Sequence, residues 1–206
     1  ASISDDKISW YENDGRESFT EHVISTSANG AMSIYATDVD GDGDTDALLA
    51  SFYSHEIAWY ENDGSDNFTV HVISNTVNGA CSVYAADIDG DGDMDVLSTS
   101  SFDSNIYWYE NNGSQSFTEH IISATAYDVC SVYAQDVDGD GNMDVLSASS
   151  IDSKISWYEN DGSENFAENV ISISADGARS VYAEDVDGDG YMDVLSASYN
   201  DKKISW

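Results

Sequence analysis

The nine residues Asp38-Val39-Asp40-Gly41-Asp42-Gly43-Asp44-Thr45-Asp46 decide how the chain is read, because their pattern returns at Asp87, Asp136 and Asp185. Carboxylates stand at positions one (Asp38, Asp87, Asp136, Asp185), three (Asp40, Asp89, Asp138, Asp187), five (Asp42, Asp91, Asp140, Asp189) and nine (Asp46, Asp95, Asp144, Asp193). Two carboxylates about 4 Å apart repel by roughly 4 kcal/mol at an effective dielectric near 20. A hard cation with oxygen ligands removes that cost, and Ca²⁺ is the usual one. Position seven is Asp44, Asp93, Asn142 and Tyr191 in the four copies. A backbone carbonyl ligand tolerates that variation where a side-chain ligand would not. The expected site is therefore four side chains and one carbonyl per loop, with about four Ca²⁺ per chain.

The loop is not an EF-hand. That motif needs an acid at position twelve and a helix on either side. Here position twelve is Leu49, Ser98, Ser147 and Ser196. The flanks Ser82-Val83-Tyr84-Ala85 and Asp95-Val96-Leu97-Ser98 are short, β-branched and aromatic, which predicts strands.

Working outward, Trp10, Trp59, Trp108, Trp157 and Trp206 recur every 49 residues. A period of that size, with several strands in each unit, indicates a propeller-like array. In the second unit the predicted strands are 82–87, 95–99, 105–111 and 117–123. Glu110-Asn111-Asn112-Gly113 and its counterparts at Glu12, Glu61 and Glu159 lie between strands three and four. Asn-Gly and Asp-Gly pairs between alternating runs are hairpin signals. Four antiparallel strands joined by tight turns make one propeller blade. The expected fold is all-β, a single β-propeller domain over residues 1–206 built from four 49-residue repeats. Strand one, apolar on both faces at Val83, Tyr84 and Ala85, is expected innermost and covered on both sides. The tryptophans, with Phe19, Phe68, Phe117 and Phe166, are expected to pack blade on blade.

Residues 1–10 repeat the sequence type of residues 197–206. This predicts that strands three and four at the N-terminus join strands one and two at 181–198, completing one blade. A four-bladed ring, a homo-oligomer of two chains completing a larger propeller, and a piece of a longer array all stay open.

Forty acids against six bases give a formal net charge of −34, and four divalent ions would leave −26. Nucleic acid and anionic membrane are polyanions, so neither is expected as a partner. No apolar run approaches the 18 or so residues of a membrane helix, so no membrane insertion is expected. No leader is expected at Ala1-Ser2-Ile3-Ser4, and the chain reads as a mature fragment. Cys81 and Cys130 share one repeat column with Met32 and Arg179 and are expected to be free, mostly buried thiols, with a disulfide between neighbouring repeats as the alternative. His22, His71 and His120 share another column and are expected at the surface. No nucleophile–base pairing stands out, so no enzyme is expected.

The unit Ser-Val-Tyr-Ala-x-Asp-Val-Asp-Gly-Asp-Gly-x-Met-Asp-Val-Leu-Ser, at 131–147 and 180–196, precedes Trp-Tyr-Glu-Asn-x-Gly in the third copy. Together they resemble the FG-GAP/VCBS repeat family. The resemblance covers essentially the whole chain. It implies a calcium-loaded propeller, extracellular or at the cell surface, used in adhesion or in binding protein or glycan ligands. It also implies the loop aspartates as ligands, in the hairpin between strands one and two. Family propellers usually have about seven blades, and this chain has four repeats.

Overall fold

A computed structural model describes all residues, Ala1–Trp206. The chain is all-β. A first hairpin pairs β1 (Ile8–Asn13) with β2 (Phe19–Ser25). A four-stranded blade follows: β3 (Ala31–Thr37), β4 (Asp46–Ser51), β5 (Glu56–Asn62) and β6 (Phe68–Ser74). The second blade is β7 (Ala80–Ala86), β8 (Asp95–Ser100), β9 (Asn105–Asn111) and β10 (Phe117–Ser123). The third is β11 (Val129–Gln135), β12 (Asp144–Ser149), β13 (Lys154–Asn160) and β14 (Phe166–Ser172). A last sheet holds β15 (Ala178–Glu184), β16 (Asp193–Ser198) and β17 (Lys203–Ser205). Every pairing is antiparallel between consecutive strands, so the propeller blades expected from the sequence are present.

The blades stack through alternation. Successive strand residues point to opposite faces of a sheet. Leu48, Ala50, Ile57 and Trp59 of the first blade therefore face the second, where they meet Val77, Ala80, Val83, Val96 and Tyr107. Leu97, Ile106 and Trp108 repeat this against Val129, Val132, Val145 and Tyr158 of the third. The Trp-Tyr dipeptide serves both neighbours: Trp59 packs forward, and Tyr60 packs back on Ile8 and Leu49. Phe68, Phe117 and Phe166 pack at the edges of these clusters as expected, while Phe19 is exposed.

Strand two, not strand one, is the fully covered strand. All six residues of β4, β8 and β12 are buried. Strand one alternates, because one of its faces turns toward the neighbouring innermost strands. There Tyr35, Tyr84, Tyr133 and Tyr182 form a ladder with ring centroids 4.6, 4.9 and 4.6 Å apart. Serines reinforce it: Ser33, Ser82 and Ser131 Oγ accept the backbone N–H groups of Val83, Val132 and Val181 at 3.3–3.4 Å. Outer strands such as β14 are largely exposed.

The two ends do not share a sheet, which corrects one detail of the expected closure. β1 pairs only with β2, and β17 lies on β16. Both ends carry strand-three sequence. The copy tethered to β16 by a tight turn closes the shorter loop and takes that place. The N-terminal hairpin instead packs Ile8 against Ala28, Ala31 and Leu49 of the first blade.

The columns read as surface and thiol positions also fall into place. His22, His71 and His120 are half-exposed and stack on Trp10, Trp59 and Trp108, with centroids 4.2–4.7 Å apart. Their Nε2 atoms lie 3.0, 2.6 and 2.9 Å from Glu12, Glu61 and Glu110 Oε2. Cys81 and Cys130 are free.

This burial gradient sets mutational cost. Leu146→Ala on β12, fully buried, should lower unfolding free energy by about 2–5 kcal/mol. Val170→Ala on β14, 51% exposed, should cost less than about 0.5 kcal/mol. Denaturant melts of both variants check the difference.

Candidate metal centres

The aspartate loops join strand one to strand two in four of the sheets, between β3 and β4, β7 and β8, β11 and β12, and β15 and β16. In each, backbone N–H groups hold the carboxylates in place. Asp38 accepts from Gly41 N at 2.8 Å through Oδ1 and from Gly43 N at 2.9 Å through Oδ2. Asp40 Oδ1 accepts from Asp42 N, and Asp42 Oδ1 from Asp44 N. One oxygen each of Asp40 and Asp42 is thus engaged in these loop bonds. Gly41 and Gly43 sit at φ +76° and +97°, the left-handed backbone such a wrap needs.

Four groups of carboxylates converge, one per repeat: Asp38, Asp40 and Asp42; Asp87, Asp89 and Asp95; Asp136, Asp138 and Asp144; Asp185, Asp187 and Asp193. Within each group the candidate ligand atoms lie within 4.8 Å of one another. Positions one and three meet in every copy, joined by position five in the first and by position nine in the other three. All donors are carboxylate oxygens, and each group could hold a metal ion. Asp46, Asp91, Asp140 and Asp189 stand outside the groups though on the same loops.

The side chains at position seven turn elsewhere. A Cβ at Gly64 would collide with the Asp44 carboxylate, and one at Gly113 with that of Asp93. The Asn142 amide leans in the same way on Gly162, and Tyr191 is exposed. Asp44, Asp93 and Asn142 thus brace their loops against the hairpin between strands three and four. Only their carbonyls are left as candidate donors.

Position nine has a second role that spacing alone does not reveal. Asp95 Oδ2 accepts from Ile88 N at 3.0 Å, and its Oδ1 accepts from Asn111 N at 2.7 Å. Asp46 and Asp144 bridge the same two sites in their blades. One side chain thereby ties the loop to the end of strand three. Burial raises the Asp95 carboxyl to about 6 despite those two donors and the nearby Trp108 indole. Burial likewise raises Asp40, Asp89 and Asp144, and neighbouring carboxylates add to it. Crowded like charges that favour protonation are the setting a cation relieves.

The loops are also wired to the next blade, through an asparagine that the sequence pattern marks only as a turn residue. Asn111 Nδ2 donates to Met94 O in its own blade and to Val39 O in the loop of the preceding one. Asn160 does the same with Met143 O and Ile88 O. Gln115 Nε2 reaches Asp40 Oδ2 at 3.3 Å.

A model of FG-GAP-like repeats matches residues 1–49, 38–98, 95–147 and 136–196. No curated protein matches the chain. Among solved structures, it is similar to a lectin from Agrocybe aegerita that specifically recognises non-reducing terminal N-acetylglucosamine. There the TM-score is 0.62 and identity 16%, over 92% of this chain and 55% of the lectin. A chain from the complex of BBS1N with ARL6DN gives a TM-score of 0.52 at 11% identity, over 84% and 54% of the two chains. The biofilm matrix protein Bap1 of V. cholerae gives 0.47 at 20%, over 90% and 32%. At such identities the likeness is one of fold, and this chain spans about half the length of these structures or less.

The two roles of the aspartates separate by mutation. In excess chelator, Asp95→Ala strips partners from two buried backbone donors and should cost about 2–5 kcal/mol. Asp89→Ala, at an exposed position, should cost under about 1 kcal/mol in chelator and markedly more with metal present. Thermal melts of both variants with and without metal check this.

Proposed function

This chain belongs to the FG-GAP-like repeat family, and from that premise we propose that it is a calcium-stabilised extracellular propeller, an adhesion or interaction module and not an enzyme. The convergence of three carboxylates in each of four repeats carries the proposal. An all-oxygen donor set on a flexible loop suits Ca²⁺ better than a soft transition metal. The carbonyls of Asp44, Asp93, Asn142 and Tyr191 complete the coordination in this reading. A net charge of −34 favours a soluble protein in a salty, calcium-rich medium. Catalysis needs asymmetric groups with tuned proton affinities, and the repeated carboxylates here are engaged in loop bonds and bracing.

Glycan binding is a second reading, favoured by the likeness in fold to the Agrocybe aegerita lectin. A second copy of the chain is a candidate partner as well. Its sheets would supply neighbours for β1 and for the outer side of β17, and a solution mass of twice 22.3 kDa would support it where a single mass would oppose it.

Calorimetry should find four calcium equivalents per chain. At free calcium a hundred times Kd, each site adds about 2.7 kcal/mol to stability, so the melting temperature should fall sharply in chelator. Affinity at the Asp87–Asp89–Asp95 loop should be full well above pH 6 and weaken as pH falls through about 6, because Asp95, raised to about 6, then takes up the proton that the ion must displace. A melt unchanged by chelator contradicts the proposal.

A further inference from the structure

The end of the propeller away from the metal loops carries an aromatic patch that neither packing nor metal binding uses. The turn between β4 and β5 presents Phe52 and Tyr53, and the turn between β8 and β9 presents Phe102. Phe52 sits edge-on to both, with centroids 5.4 Å from Tyr53 and 5.2 Å from Phe102. Tyr53 is 57% and Phe102 62% exposed. Both rings rest on glycine: a Cβ at Gly30 would fall 2.7 Å from the Tyr53 ring, and one at Gly79 would fall 3.0 Å from that of Phe102. Bare backbone under each ring lets it lie close to the sheet end while the rest of it faces solvent.

Carboxylates flank the trio on both sides. Asp6 Oδ1 accepts from Gly30 N at 2.9 Å, beneath Tyr53. Asp103, exposed next to Phe102, is fixed by Asn78 Nδ2 and Ser100 Oγ, both at 3.2 Å. No positive charge opposes them locally. Residues 17–153 contain neither Lys nor Arg. Lys7, next to Asp6 in the chain, is held by Glu21 at 2.5 Å. His55 accepts from Gly79 N through Nδ1, so that nitrogen carries no proton.

We propose that the Phe52–Tyr53–Phe102 patch, with Asp6 and Asp103, is a docking site for a cationic polypeptide segment, one that presents Arg or Lys side chains to the rings. Charge complementarity decides the occupant. Aromatic faces attract guanidinium and ammonium groups, arginine most often. The flanking carboxylates pair with the same groups. A net charge of −34, or −26 with four divalent ions bound, steers cations toward the surface and repels anionic partners. Three side chains offer at most a few hundred Å², well below the roughly 1,000 Å² of a stable interface between folded proteins. A short extended segment fits that size. The inference rests on the reading of the chain as an interaction module and names the chemistry of its partner.

The test uses the calcium-saturated full chain and a hexa-arginine peptide in about 100 mM salt, where the Debye length is about 10 Å. Calorimetry should give one equivalent. Phe102→Ala and Tyr53→Ala should each weaken binding about tenfold, within the range of a cation–aromatic contact, and Asp103→Asn should weaken it too. Ile151→Ala, 75% exposed at the equivalent turn of the third blade, should leave affinity unchanged. All four substitutions are at exposed positions, and unchanged melting temperatures confirm that the fold survives. Peptide binding that ignores Phe102→Ala and Tyr53→Ala overturns the patch while leaving the module reading in place. No peptide binding overturns it as well. A neutral saccharide that binds in a Phe102-dependent way, with no peptide competition, gives the site to a glycan and also overturns the proposal.

Discussion

Repulsion among loop carboxylates is the constraint on which the rest of the molecule depends. Each repeat gathers at least three of them within 4.8 Å, at the hairpin that joins its two most central strands. The neighbouring blade is hung on that hairpin. Asn111 and Asn160 donate to carbonyls of the preceding loops, and Gln115 reaches Asp40 itself. Each of these loops is therefore tied by side-chain hydrogen bonds to the blade that follows it. Apolar stacking supplies the bulk of the cohesion, as the buried clusters between blades show. That stacking is non-directional, whereas the loop bonds are specific in register.

Much of this was legible in the sequence, because an exact repeat multiplies every weak signal by four. Strands three and four of the second unit, 105–111 and 117–123, coincide with β9 and β10. Strand one begins earlier than its alternation suggests, at Ala80. The register shifts between Ala80 and Ser82, so the bulge there hides the period of two. Which strand is most covered was not legible either. Val-Leu-Ser and Val-Tyr-Ala are similarly apolar, and only the stacking of sheets on both faces of β8 sets it apart.

The candidate sites divide in the same way. Spacing located every loop aspartate. It did not distinguish Asp95, which holds two backbone donors, from Asp91, which is exposed. That difference depends on Asn111, sixteen residues further on, and long-range partners leave no mark on local spacing. The asparagines of the Glu-Asn-x-Gly turns were visible as turn residues, yet their bond to the preceding blade needs the propeller to exist first. The histidines follow the same logic. His71 lies opposite Trp59 across the β5–β6 pair, a register that fixes the stack on the indole. The two ends of the propeller thus differ in kind: one is a repeated, acid-lined set of loops, and the other varies from blade to blade, as Phe52, Ser101 and Ser150 show in one column.

The most direct measurement is a crystal structure grown in calcium, with anomalous scattering used to identify the ions. The account predicts one ion in each of the four loops, about 2.3–2.6 Å from the grouped carboxylates, at positions one and three with five in the first loop and nine in the other three, and from the position-seven carbonyl. Aspartate clusters without ion density, in blades that keep the same packing, would contradict it.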